Sequence, residues 1–141
     1  MRLDDARAWE RLTTADHGVL ATVHPRRGAD AVPVVYGVDE GHVGIPIDRV
    51  KPKTATRLQR ERNLAADPRA TLLVDHWDPV DWSRLWWVRA ELRRIDDDDD
   101  AGWRTARLSE LLAARFTQYR DRPFARVLVL RIDAVMGWSA G

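Results

Sequence analysis

The chain has 141 residues, of which 45% are hydrophobic and 32% charged, a composition typical of a soluble protein that forms one domain around one core. The formal net charge is only +1, which argues against whole-molecule attraction to nucleic acid. Cysteine is absent, so disulfides, thiolate nucleophiles and cysteine-ligated metals are excluded. No apolar run approaches the roughly 18 residues of a membrane span, and MRLDDARAWE is no signal peptide, so we expect a cytoplasmic protein without a membrane partner.

The first half of the chain predicts one helix followed by three strands. Apolar residues recur at helical spacing over residues 3–14. Turn-forming residues then separate β-type runs at residues 18–24, 31–38 and 43–47, and the short connections predict an antiparallel meander. Pro33 cannot donate a hydrogen bond within a sheet, so its strand is predicted to lie at an edge or a bulge. The preferred alternative is an ordinary core strand that tolerates the proline.

A second helix is predicted at residues 54–66, where Asp67-Pro68 ends it. Its predicted inward positions are Ala55, Leu58 and Ala65, and its outward positions are Arg57, Gln59, Arg60 and Arg62.

The remaining elements complete an α+β pattern. Strands are predicted at residues 70–75, 85–95, 125–132 and 135–138, and a helix at residues 101–119. The five consecutive aspartates at residues 96–100 suit the N-terminus of that helix. Six to seven mainly antiparallel strands with two to three helices predict an α+β fold for residues 1–141, whose sheet closes into a barrel.

The loop between the third strand and the second helix is basic. Lys51 and Lys53 carry compact charges that suit phosphate, Arg57 adds a bidentate fork, and Thr54 offers a hydroxyl beside a helix start. This pattern is typical of a phosphate site. A solvated basic turn is the alternative, and the residues alone leave both interpretations open.

Seven tryptophans against two phenylalanines and two tyrosines indicate a large aromatic surface. On the strand at residues 85–95, Trp86 and Val88 face one side while Trp87 and Arg89 face the other. Both faces therefore need a cover. We expect the core on one side and a partner subunit on the other, with a ligand ring as the second choice.

Other chemistries find little support in the sequence. His76 lies near several aspartates, but no spacing typical of a zinc site occurs, so no metal is predicted. No G-x-S-x-G motif indicates a triad hydrolase. Nucleic-acid binding through the arginines of the second helix is disfavoured because acidic residues balance the overall charge.

Taken together, the runs GVLATV, AVPVVY, the Lys-Pro-Lys loop and RLQRERNLAADPRATLLVD resemble the pyridoxamine-phosphate-oxidase-like split-barrel proteins. The segment HWDPVDWSRLWWVRAELRRI and the terminal GWSA are most similar to an actinobacterial branch of deazaflavin (coenzyme F420)-dependent enzymes. The resemblance covers nearly the whole chain. It implies a homodimer with two cofactor sites at the subunit interface.

The resemblance also assigns roles by position. The residues implied along the ring or the ribityl chain are Val34, Val35, Ile47 and Asp48. The residues implied at the phosphate are Lys51, Lys53, Thr54 and Arg57. The residues implied in an aromatic wall supplied across the dimer are His76, Trp77, Trp82 and Trp87.

The function implied by the resemblance is hydride transfer between reduced F420 and a small conjugated organic substrate. Because the cofactor carries that chemistry, no acid–base dyad is required of the protein. Two alternatives stay open: an FMN-dependent enzyme of the pyridoxamine-phosphate-oxidase type, and a non-catalytic carrier of a flavin, deazaflavin or haem.

Overall fold

In the computed structural model, which describes residues 1–48, 58–95, 99–121 and 126–141, seven strands form one antiparallel sheet with helices packed against it. The helices are α1 (Asp5–Thr14), α2 (Gln59–Ala66), α3 (Asp99–Arg115) and α4 (Gln118–Asp121), with a 3₁₀ turn at Trp82–Arg84. The strands are β1 (Gly18–His24), β2 (Gly28–Val34), β3 (Gly37–Asp39), β4 (His42–Ile47), β5 (Arg69–His76), β6 (Trp86–Arg94) and β7 (Arg126–Ser139). The predicted split-barrel α+β class is confirmed.

The strand order is β2-β1-β5-β6-β7-β4-β3. Both antiparallel pairings expected for the first three strands are present, as β1 with β2 and β3 with β4, but they do not form one continuous meander because the expected middle strand is divided. The predicted strand at residues 31–38 is two strands, separated where the buried Tyr36 turns inward and its hydroxyl donates to the Leu12 carbonyl. The β3–β4 hairpin joins the sheet through β7 instead.

The last strand allows this arrangement because it is long. Two short strands were expected at the C-terminal end, but Arg126–Ser139 runs as one strand. It pairs with β4 through its first half and with β6 along most of its length, past an irregularity beside Glu91 and Leu92. One long strand thereby links both sides of the barrel.

Alternation along the strands builds the core. Leu20, Leu72 and Val88 point inward and are buried, while their neighbours in sequence are partly or fully exposed. Burying such aliphatic side chains contributes about 1.5–3 kcal/mol each relative to exposure. The core therefore fixes which face of each strand remains available on the surface.

Helix α2 differs from its predicted phase. Ala65, expected inward, is exposed, whereas Glu61 and Asn63 are buried beside Leu64. Specific polar partners, not apolar periodicity, decide which side of this helix faces the sheet. The predicted helix residues 54–57 lie outside the described residues.

The helix expected at residues 101–119 is interrupted. α3 ends at Arg115, and α4 resumes at Gln118. In α4 the N–H groups of Tyr119 and Arg120 donate to the carbonyls of Phe116 and Thr117, three residues earlier. This is the tighter pattern common at helix ends. This turn sets the position of Tyr119.

Candidate functional site

A cleft of about 390 Å³ opens where β2 and β4 end, directly before residues 49–57. Strand ends and the helices that follow them supply its lining. The lining residues are His17, Pro33, Val34, Val35, Pro46, Asp48, Arg60 and Tyr119.

The apolar wall of the cleft comes from the ends of two strands. Within the described residues β2 pairs only with β1, so Pro33 lies in an edge strand, as predicted. Pro46 lies beyond the β3–β4 pairing and is opposite Val127. The two proline rings and Val34 give the cleft a surface suited to a flat apolar group.

The polar end of the cleft is organised around Tyr119. Its hydroxyl donates a hydrogen bond of 3.2 Å to Oδ1 of Asp48. Burial, together with the Asp48 carboxylate, raises the pKa of Tyr119 to about 12. Tyr119 is therefore a neutral phenol at ordinary pH, and it holds the Asp48 side chain in place.

Arg60 is the second polar group of the cleft and corrects the sequence interpretation. It was predicted on the outward face of its helix, yet it is half-buried and lines the cleft. Burial lowers its pKa. Its Nε is buried and has no hydrogen-bond partner among the described residues.

Two buried side chains of α2 hold this helix against the sheet. Glu61 accepts hydrogen bonds of 2.6 and 2.7 Å from Arg126 at the start of β7. The Asn63 amide donates to Thr22 Oγ1 at 3.0 Å and to Asp30 Oδ2 at 2.9 Å. Sequence reasoning missed both roles. The only signal was two polar residues at positions that an amphipathic pattern leaves unexplained.

The structure brings three of the predicted ring-lining residues together. Val34, Val35 and Asp48 all line the cleft. The Ile47 side chain is instead fully buried in the core, so only its backbone is positioned towards this end of β4. The predicted phosphate contacts Lys51, Lys53, Thr54 and Arg57 lie outside the described residues.

The predicted aromatic wall lies at the turn between β5 and β6. Trp77 and Trp82 are 57% and 67% exposed. Trp87 lies on the outer face of β6 beside Arg89, and Trp86 packs towards the core, so the predicted facing of this pair is confirmed. None of these aromatic side chains lines the first cleft within one chain.

His76 belongs to a separate cleft of about 440 Å³. Its ring stacks on Trp86 with centroids 6.3 Å apart, and the Arg11 guanidinium lies 4.5 Å from the Trp86 centroid. The lining residues are Arg11, His76, Ser83, Arg84, Trp86, Ser139 and Gly141.

The outer face of the sheet exposes apolar side chains. Val19 and Leu73 are cross-strand neighbours, 39% and 41% exposed, and Val23 continues the row along β1. Met136 lies opposite Arg89 on the same face. Contiguous exposed apolar surface of this kind marks interaction sites in soluble proteins.

The described ranges contain neither a metal-binding cluster nor a membrane-spanning helix. No three His, Asp or Glu side chains there come together in a way that could hold a metal ion. No helix within those ranges has the length and apolarity needed to cross a membrane.

Comparison with solved structures shows the fold. A FAD-binding protein from Mesorhizobium loti superimposes with a TM-score of 0.70 at 17% identity, covering 97% of this chain and 95% of that one. A protein assigned as a pyridoxamine 5'-phosphate oxidase, from Corynebacterium glutamicum, gives 0.57 at 15% identity, covering 99% and 98%. The haem storage protein HutZ from Vibrio cholerae gives 0.62 at 14% identity, covering 96% and 94%.

No protein-family model matches the sequence, and no curated protein matches it either. The superpositions show that the chain shares the split-barrel architecture of flavin-binding and pyridoxamine-phosphate-oxidase-like proteins at low sequence identity. A split barrel hosts several ligands, so the ligand must be argued from the cleft.

Proposed function

We propose that the cleft between β2 and β4 binds a flavin-type redox cofactor, and that this cofactor is coenzyme F420, with FMN as the alternative. The observation that carries the proposal is the position of the cleft. Val34, Val35 and Asp48 line it, and the basic loop that contains Lys51 and Lys53 begins at the next residue of the chain. A ligand with a flat ring and an adjacent anionic tail fits this arrangement, in which the cationic side chains of the loop follow the cleft residues along the chain.

The lining residues fit a flavin-type ring in their chemistry. Pro33, Val34 and Pro46 offer apolar surface for the faces of a ring. Arg60, Tyr119 and Asp48 offer donors and acceptors for its polar edges. A ligand pocket with mostly apolar walls and a few converging polar groups is the usual form of a cofactor site.

The reaction we propose is hydride transfer between reduced F420 and a small conjugated organic substrate. When bound, the deazaflavin supplies the hydride chemistry, whereas FMN also supports one-electron and oxygen chemistry. The contribution of this chain is to bind and orient. Asp48, held by Tyr119, keeps a fixed acceptor at the polar end of the cleft, and the proline walls exclude water from its apolar part.

We also propose that the protein is a homodimer. The outer face that includes Val19 and Leu73 exposes apolar side chains, and a second copy of the chain offers the same face to cover them. The exposed Trp77 and Trp82 would then reach the cleft of the partner. That arrangement would give those tryptophans the role that they lack within one chain.

A second candidate is a non-catalytic carrier of a flavin, deazaflavin or haem. The similarity to a haem storage protein favours this alternative, since that protein shares the fold over 96% of this chain. Catalysis and carriage predict the same binding but different turnover. Oxidation of reduced F420 by enone and nitro compounds, followed by absorbance, separates them.

The chain offers a direct test of where the anionic tail binds. Lys51 and Lys53 are the only lysines in the sequence, so reductive methylation with ¹³C-formaldehyde labels those two side chains and the N-terminal amine. Dimethylation keeps the positive charge. Titration with F420 and with FMN is expected to shift the two lysine methyl signals, whereas riboflavin, which lacks the phosphate, should shift them much less.

Substitution provides the matching thermodynamic measurement. Removing Lys51 or Lys53 is expected to weaken binding of the preferred cofactor by about 1.5–3 kcal/mol, the range for hydrogen bonds to charged groups. Calorimetry measures this loss, and circular dichroism checks that the variants fold. Unchanged affinity together with unshifted lysine signals would contradict the proposed placement of the phosphate.

A further inference from the structure

Arg60 is the one arginine among the described residues that line the β2–β4 cleft. Arginine stays protonated under all ordinary conditions, so burial does not remove its charge. Its Nε is nevertheless shielded from solvent and has no acceptor among the described residues. A buried donor without a partner is costly, and of the three arginines with such a nitrogen in the described part of the chain, Arg11, Arg60 and Arg104, only Arg60 lines this cleft.

The position of Arg60 is fixed by its neighbours on α2. Glu61 is buried and binds Arg126 on β7, and Asn63 is buried and binds Thr22 on β1. The helix is therefore attached to strands on both of these sides. A rigid helix holds the guanidinium at the cleft and limits its freedom to turn towards solvent.

The carboxylates nearest to Arg60 already have partners. Glu61 accepts from Arg126 and from the Leu58 N–H, and Asp48 accepts from the Tyr119 hydroxyl. The ion pairs found within 4.0 Å in the described part of the chain do not include Arg60. Asp48 remains close enough to favour the charged form of Arg60, but it does not form a contact pair with it.

We infer that Arg60 binds an oxyanion, a carboxylate or a phosphate, of the ligand that occupies this cleft. The inference rests on the proposed function to the extent that the same cleft holds the ligand. A planar guanidinium is the side chain best matched to such a group, and a charge-assisted bond in a partly desolvated cleft is stronger than one at the surface. The oxyanion belongs either to the tail of the cofactor or to the substrate.

Arg62 provides a matched control because it lies on the same helix. It is exposed, its guanidinium bonds to Gln59 Oε1 at 2.7 Å, and it does not line the cleft. Arg60→Ala is expected to weaken binding of at least one anionic probe by about tenfold or more, whereas Arg62→Ala should leave every affinity unchanged. Circular dichroism and a thermal melt establish that both variants are folded.

Three probes distinguish the two sources of the oxyanion. If Arg60 holds the tail of the cofactor, Arg60→Ala weakens FMN and inorganic phosphate but leaves riboflavin unchanged. If Arg60 holds the substrate, the variant weakens benzoate and leaves FMN unchanged. Asp48→Asn gives a test of opposite sign with phosphate and benzoate as probes, because removing a nearby negative charge should strengthen whichever of these two anions Arg60→Ala weakens.

The results also separate this inference from the proposed function. If the wild type binds FMN or F420, and phosphate, benzoate and FMN all bind Arg60→Ala as tightly as wild type, the oxyanion site is wrong while cofactor binding stands. If the wild type binds neither cofactor but shows Arg60-dependent phosphate or benzoate binding, the proposed function is wrong and the oxyanion site stands. Failure of every probe on the wild type overturns both.

Discussion

Arg126 forms a bidentate ion pair with Glu61, with Nε–Oε1 and Nη2–Oε2 distances of 2.6 and 2.7 Å. The pair joins the first residue of β7 to the helix that carries Arg60. Glu61 also accepts the Leu58 N–H at 2.8 Å and so caps the start of α2. One buried carboxylate therefore fixes both the beginning of the helix and its attachment to the sheet.

Replacing Arg126 with alanine should destabilise the protein, because it removes the bidentate guanidinium partner of the buried Glu61 carboxylate. Breaking a fully buried ion pair costs about 3–5 kcal/mol. The Arg126 side chain is 41% exposed, so water compensates for part of that loss, and we expect about 2 kcal/mol in the free energy of unfolding. Urea denaturation followed by tryptophan fluorescence measures this change.

Arg131→Ala is the control for that measurement, because Arg131 pairs with Asp133 on the exposed surface. It should change the free energy of unfolding much less than Arg126→Ala does. Equal effects of the two substitutions would show that the Glu61 pair has no special structural role.

A second prediction concerns Asn63, which is fully buried. Its amide nitrogen donates to Thr22 and Asp30, and its oxygen accepts from Gln59 Nε2 at 2.8 Å. Asn63→Ala leaves these groups without their partner and is expected to cost about 2 kcal/mol or more in the free energy of unfolding.

Gln59→Ala removes only the bond at the periphery of the Asn63 network. We therefore expect thermal and urea unfolding to show a clearly smaller loss for Gln59→Ala. A loss as large as that of Asn63→Ala would mean that the bonds to the two strands contribute little.

Features that depend on residues close together in the sequence were predicted, whereas features that depend on residues far apart in the sequence were missed. The edge position of Pro33 and the opposite facing of Trp86 and Trp87 depend on local geometry, and both were predicted. The strand order depends on β7, which pairs with β4 some eighty residues earlier in the chain, and no local pattern encodes that pairing.

The candidate site divides in the same way. Val34, Val35 and Asp48 were implied by the resemblance, and all three line the cleft next to strand ends, while their contact with a cofactor stays a prediction. Arg60 was misjudged because helical periodicity was read from apolar residues alone. The phase of α2 is set instead by the polar contacts of Glu61 and Asn63 with strands distant in sequence, which a periodic pattern cannot contain.

A third prediction concerns stability in acid and the carboxyl group of Asp67. Hydrogen bonds from the side chain and backbone of Arg69 lower the pKa of Asp67 from 3.8 to about 2. Because the pKa is lower in the folded state, the stabilisation from this group is present in full above pH 3.8. It is lost progressively as the pH falls from 3.8 to about 2.

The comparison of wild type with Asp67→Asn tests this. The difference between their urea midpoints should be largest near neutral pH and should shrink as the pH is lowered towards 2. A difference that stays constant across this range would show that the ionised form of Asp67 gives no additional stability.

The last prediction tests the homodimer through Leu73. Leu73 and Val19 form a cross-strand pair on the outer face of the sheet, 41% and 39% exposed. A carboxylate placed there would be buried against the same position of a partner, and desolvating an unpaired charge opposes association. Leu73→Glu should therefore be a folded monomer by light scattering at concentrations where wild type is a dimer.

Trp103→Glu is the control, because Trp103 is an exposed aromatic on α3 and not part of this face. A monomeric wild type at high concentration, or a dimeric Leu73→Glu variant, would contradict the proposed interface.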